Sequence, residues 1–132
     1  MMATRKNNIT PRRVFIGIDW ADRLHAFHLL APDGEDSGEF QQDPADIQRI
    51  VSEWTARCPG AVITIAIEQS RGPLISALLK YDELAIVPVN PAALASYRKS
   101  FAHGGGKDDP TDARLLAQYL EHYHQQLRPL RQ

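Results

Sequence analysis

Cysteine is almost missing from this sequence: among its 132 residues only Cys58 carries a thiol. An internal disulfide is therefore excluded, and the composition fits a reducing cytoplasm. Long apolar runs are missing as well. None approaches the roughly 20 residues that a membrane-spanning helix needs. The opening stretch, "MMATRKNNITPRR", holds no apolar segment, so no signal peptide is expected. Excess charge of one sign is also lacking, since the net charge is −1.

Several kinds of site are missing too. Gly104–Gly106 is a glycine run, but no strand leads into it and no Gly-Lys-Ser/Thr follows, so it reads as a hinge rather than a phosphate loop. His25 and His28 lie three apart on an expected strand and face opposite sides. His122 and His124 lie two apart on an expected helix and diverge. The histidines thus form no metal set, and no Ser-His-Asp arrangement can be assembled. There is no internal repeat.

What is present is the composition of one globular domain, 43% hydrophobic and 23% charged. Residues 1–13, with Arg5, Lys6, Arg12 and Arg13, read as a basic flexible tail. "VFIGID" (14–19) and "HAFHLLA" (25–31) read as strands, and "PDG" (32–34) turns the chain into an edge strand within "EDSGEFQQ". Asp43 followed by Pro44 starts a helix whose apolar face is Ile47, Ile50, Val51 and Trp54. "AVITIAIE" (61–68) is a strand covered on both faces. A helix over 72–81, a strand over 84–89 and a helix from Asn90-Pro91 follow. A last helix is expected from about Pro110 to about His124, with Leu116, Tyr119, Leu120 and Tyr123 on one face. The order β-β-β-α-β-α-β-α-α predicts a mixed five-stranded α/β sheet with helices on both faces.

The acids are unevenly placed. Residues 33–53 hold seven acids against Arg49 alone, which leaves nine acids and fourteen bases elsewhere. Asp19 closes the first strand and Glu68 closes the central one. If those strands are parallel neighbours, both carboxylates emerge at the same edge, where open α/β sheets collect functional residues. Asp109 and Asp112 stand three apart in "GKDDPTDA", at the start of the last helix. Four carboxylates brought together would repel. Two divalent ions relieve that, and hard oxygen ligands favour Mg²⁺ or Mn²⁺. Two such ions would carry the net charge from −1 to +3, suited to a polyanion. The competing reading makes each acid a turn or cap residue, with Asp109 as N-cap and Asp112 favouring the helix dipole. Asp22 and Asp108 read as solvated. Arg98, Lys99 and Lys107, with Tyr97 and Phe101 interleaved, form a candidate patch for a nucleic-acid backbone or a solvated helix face.

Four blocks in order, "FIGIDWADRLHAFHLL", "IEQSRGPLISALLKY", "VPVNPAALASYRKSF" and "GKDDPTDARLLAQYL", resemble the N-terminal domain of the DEDD transposases, the bacterial insertion-sequence 110 family. The resemblance runs from about residue 14 to the end of the chain. It implies a RuvC-like fold of the ribonuclease H class over 14–132 and a site using two divalent ions, Mg²⁺ or Mn²⁺, held by Asp19, Glu68, Asp109 and Asp112. The family's Lys-x-Asp-x-x-Asp-Ala motif matches Lys107, Asp109, Asp112 and Ala113, with Asp108 as a register alternative to Asp109. It further implies DNA at insertion-sequence ends and targets, a guide RNA, a homo-oligomer, and a serine-bearing second domain, which is absent from these 132 residues. Arg12, Arg13, Arg98, Lys99 and Lys107 would meet phosphates. Alternatives on the same residues are a stand-alone junction resolvase or nuclease, and a non-catalytic RNA-binding assembly module. A sugar-kinase-like reading of "GIDWA" lacks the length for two lobes.

Overall fold

The computed structural model describes residues 12–68, 71–100 and 111–130. Three strands, β1 (Arg13–Asp19), β2 (Leu24–Ala31) and β3 (Gly34–Gln41), form an antiparallel meander. Two further strands, β4 (Val62–Ile67) and β5 (Leu84–Pro88), add in parallel, giving the sheet order β3-β2-β1-β4-β5. Helices α1 (Pro44–Arg57), α2 (Pro73–Leu78), α3 (Pro91–Lys99) and α4 (Asp112–Tyr123) complete the domain. The expected mixed sheet with helices on both faces is observed. Among the described residues no helix is long and apolar enough to cross a membrane.

The two faces follow from strand parity, because successive side chains alternate. Val14, Ile16, Ile18, Ile63, Ile65 and Ile67 point to one face, where α1 and α2 bring Ile50, Trp54, Leu74 and Leu78. Phe15, Ala66 and Val87 point to the other, against Leu94 of α3 and Leu115, Leu116 and Leu120 of α4. Trp54 meets Phe27 and Phe40 edge-on, with ring centroids 5.4 and 5.8 Å apart, a favoured aromatic geometry.

The helix starts are written locally. Asp43 accepts from the Asp46 N–H and Pro44 fills the first turn of α1. Asn90 caps α3 by accepting from the Ala92 N–H at 2.7 Å. Gly72 precedes α2 with φ 126°, a conformation that a side chain would oppose.

Three boundaries differ from expectation. The basic tail was expected through residue 13, but Arg13 opens β1 and the Arg12 carbonyl accepts from the Val62 N–H at 2.8 Å. Parallel pairing with β4 draws these two residues into the sheet; residues 1–11 lie outside the described residues. The helix expected over 72–81 ends at Leu78, because the N–H groups of Lys80 and Tyr81 bond three residues back and tighten the chain toward β5. The last helix begins at Asp112 rather than Pro110, since the Thr111 hydroxyl accepts from the Arg114 N–H at 3.2 Å and takes the N-cap. Its buried face is Ala113, Leu115, Leu116, Ala117 and Leu120; Tyr119 and Tyr123 flank it instead.

Candidate functional site

β1 and β4 run parallel with Ile18 opposite Ile67. One further step sets Asp19 beside Glu68, on strands spaced about 4.8 Å apart. Parity puts both carboxylates on the α4 side, in line with Phe15 and Gly17 on β1 and with Thr64 and Ala66 on β4. Their emergence at one sheet edge is as expected.

Helix α4 reaches that edge because the sheet gives way beneath it. A Cβ at Gly17 would overlap the Ala113 carbonyl oxygen and lie 2.6 Å from the Ala117 nitrogen. The helix backbone therefore rests on the strand backbone, with the small Ala113 and Ala117 at the contact. This brings Asp112, one residue before Ala113, over the end of β1.

The electrostatics register that approach. The Asp19 carboxyl is held above its ordinary value, first by partial burial and then by the Asp112 charge, although solvent still reaches it. Burial also raises Glu68, with Asp112 and Asp19 adding to the rise and Arg98 opposing it. Each of the two acids thus carries like charge it does not offset alone. Arg98 of α3 supplies the local compensation by donating to the Asp112 carboxylate.

Hard carboxylate oxygens with mutual repulsion are the donor chemistry that suits a magnesium-class ion. Among the described residues, however, no three of the histidine, cysteine and acidic side chains stand close enough together to hold an ion. Asp108, Asp109 and Lys107 lie outside the described residues. The expected pairing of Asp109 with Asp112 thus falls outside the described residues; of the two, Asp112 is the first residue of α4, behind its Thr111 cap. The same cap removes the helix-capping role from the competing reading of Asp109.

The basic residues separate into two groups. Arg98 and Lys99 are exposed at the end of α3, and Arg98 is beside the acids. Arg12 and Arg13 are exposed at the other end of β1, six residues from Asp19, or about 20 Å along the strand. They cannot serve the same phosphate as Arg98.

The DEDD transposase family of insertion-sequence 110 type, described as Transposase, matches residues 16–132. This chain belongs to the DEDD transposase family. Protein y4uE of Sinorhizobium fredii is 30% identical over 126 residues, covering 90% of this chain and 34% of that protein. The mini-circle IS117 protein of Streptomyces coelicolor is 31% identical over 121 residues, covering 89% of this chain and 29% of its own length. Both carry the name transposase. The chain spans about a third of the length of these relatives. As a DEDD transposase domain it has the ribonuclease H-like α/β architecture expected of the family. The family also brings divalent metal use, in keeping with the carboxylates at the β1–β4 edge.

Sequence reasoning missed three features of this candidate site. Gly17 was passed over, although glycine inside a buried strand signals close backbone approach. The Arg98–Asp112 pair joins residues 14 apart across two helices, and no local pattern announces it. Glu35 accepts from Arg114 at 3.3 Å and pairs with His28 at 2.7 Å, tying the start of α4 to the meander. Those contacts hold the Glu35 carboxyl below its ordinary value, the His28 bond most.

Proposed function

We propose that this chain is the metal-binding catalytic part of an insertion-sequence transposase and takes part in DNA strand cleavage and exchange. Asp19, Glu68, Asp109 and Asp112 are the ligands in this reading, and Mg²⁺ or Mn²⁺ the ions. The observation that carries it is the electrostatic coupling of Asp19 and Glu68 to Asp112 at one sheet edge, where burial first and the Asp112 charge next raise both strand-end carboxyls.

Divalent ions bound there would activate a nucleophile and stabilise the leaving oxygen at a phosphodiester. The chain's own residues do the rest. The carboxylates supply oxygen ligands from β1, from the end of β4 and from the start of α4. Arg98, beside Asp112 and Glu68, faces the DNA phosphate nearest the acids, with Lys99 next to it in α3 and Lys107, outside the described residues, as a further phosphate contact. Arg12 and Arg13, at the far end of β1, would meet the backbone about 20 Å from the reacting bond, less than one turn of duplex. A guide RNA and a second subunit belong to this reading for the whole protein, on the strength of the family resemblance.

The test is a Mn²⁺ titration of the 132-residue chain by calorimetry, beside Glu68→Ala, Asp109→Ala and Asp108→Ala, with folding checked in each. Saturable binding that is lost in the first two variants and kept in the third is the expected result. Equal heats in all four proteins would show that these acids hold no shared ion.

A further inference from the structure

His25 is 1% exposed, yet none of the chemistry above uses it. It stands near the start of β2, on the α1–α2 side of the sheet, with its ring 5.0 Å from that of Phe40. The carboxylates lie on the opposite side. A buried imidazole must satisfy both ring nitrogens, and each has a partner. The Ala21 backbone N–H donates to Nδ1 at 3.1 Å. Nε2 lies 2.8 Å from Gln42 Oε1.

These partners settle the tautomer. A backbone N–H can only donate, so Nδ1 carries the lone pair. The ring proton is then on Nε2 and is donated to the Gln42 oxygen. Gln42 is itself fixed, because its N–H donates to the Arg23 carbonyl at 2.7 Å. The imidazole therefore bridges the end of β3 to the turn between β1 and β2.

That turn begins where Asp19 ends β1. Trp20, Ala21, Asp22, His25 and Gln42 also border a cavity of about 60 Å³, together with Pro73 and Leu74 of α2. Helix α2 follows Glu68 in the chain. The cavity is thus shared by the segments leading away from both acidic strand ends, and His25 is its buried polar wall.

We propose that His25 is a positioning residue for the carboxylate site: from the opposite face of the sheet, its Nδ1 accepts the Ala21 N–H and holds the turn that carries Asp19. The proposal rests on the reading of Asp19 as a metal ligand. It differs from a packing role in one respect: what matters is an acceptor at the Nδ1 position, not a side chain of that size.

His25→Asn, His25→Gln and His25→Leu separate the two. Asparagine can place an acceptor near Nδ1, glutamine reaches toward Gln42 instead, and leucine fills the space without an acceptor. The measurements are Ala21 amide hydrogen exchange and Mn²⁺ affinity in the 132-residue chain. Residues that orient metal ligands from behind typically change affinity by about 10–100-fold when lost. His25→Gln and His25→Leu are expected to lose Ala21 protection and to weaken Mn²⁺ by roughly tenfold or more. His25→Asn should restore both toward wild type. Ile50→Val, a mild core change on α1, serves as the control and should leave Mn²⁺ affinity alone. Mn²⁺ affinity equal in all His25 variants, with wild type binding normally, would overturn the positioning role by itself. Ala21 exchange unchanged in His25→Leu would also overturn it. No Mn²⁺ binding by wild type would overturn the metal reading and this proposal together.

Discussion

At Gly17 the strand backbone meets the helix backbone, with the Ala117 nitrogen 2.6 Å from where a Cβ would stand. Neither partner is a flexible side chain that could swing aside. Gly17→Ala must therefore lift α4 from β1, at a cost of about 3 kcal/mol or more. Urea unfolding would measure it, and a change below about 1 kcal/mol would show that the helix yields easily. Asp19 and Glu68 make a pH prediction. Their carboxyls bind protons more tightly in the folded chain than in the unfolded one. Their contribution to stability is therefore greatest at low pH and is lost as pH rises from the ordinary values of 3.8 and 4.5 upward. Glu35 and Asp46 are lowered and act in the opposite sense, so the informative quantity is the difference from a variant. Metal-free Asp19→Asn should match or exceed wild type near neutrality, with a melting temperature higher by roughly 1–3 °C. The gain should shrink toward acid pH. A lower melting temperature at neutral pH would contradict the repulsion. Asp19 and Glu68 were legible as strand-end acids from the runs that precede them. Their coupling to Asp112 was not, because it depends on how closely α4 lies on the sheet.

Helix α4 is positioned by its first turn. Thr111 caps it, Asp112 pairs with Arg98, and Arg114 reaches Glu35. The ion pairs are solvent-exposed and each is worth less than about 1 kcal/mol. The cap is comparable or larger: Thr111→Ala should cost about 1 kcal/mol, and Thr111→Ser should recover most of it. Because Asp112 is the next residue, the alanine variant should also weaken Mn²⁺ binding, measured by calorimetry. Stability loss without any change in Mn²⁺ affinity would separate the cap from the site. The sequence was informative about elements where side chains announce a boundary. Asp43-Pro44 and Asn90-Pro91 both mark real helix starts, and the Ile47, Ile50, Val51, Trp54 stripe is the buried face of α1. It was less informative where two caps compete, as in "DDPTDA". There the Thr111 hydroxyl takes the role by accepting from the Arg114 N–H.

For the molecule as a whole, a ligand that binds only the folded state raises stability by mass action. Mn²⁺ at 100 times its dissociation constant should add about 2.7 kcal/mol to the unfolding free energy. The melting temperature should climb with Mn²⁺ concentration, fall back with a chelator, and stay flat in Asp19→Asn. A rise of equal size in Asp19→Asn would place the ion elsewhere. The sequence by itself determined the element order, the parity of the strands and the two acids that end β1 and β4, because these depend on local alternation and on turn chemistry. The resemblance of four ordered blocks carried the family. Only the tertiary structure decided that α4 lies directly on Gly17, that Arg98 compensates Asp112, and that Arg12 and Arg13 sit at the far end of β1 from the acids. Those facts depend on distances between segments far apart in the chain. Such distances are set by packing of the whole sheet against its helices, which no window of sequence contains.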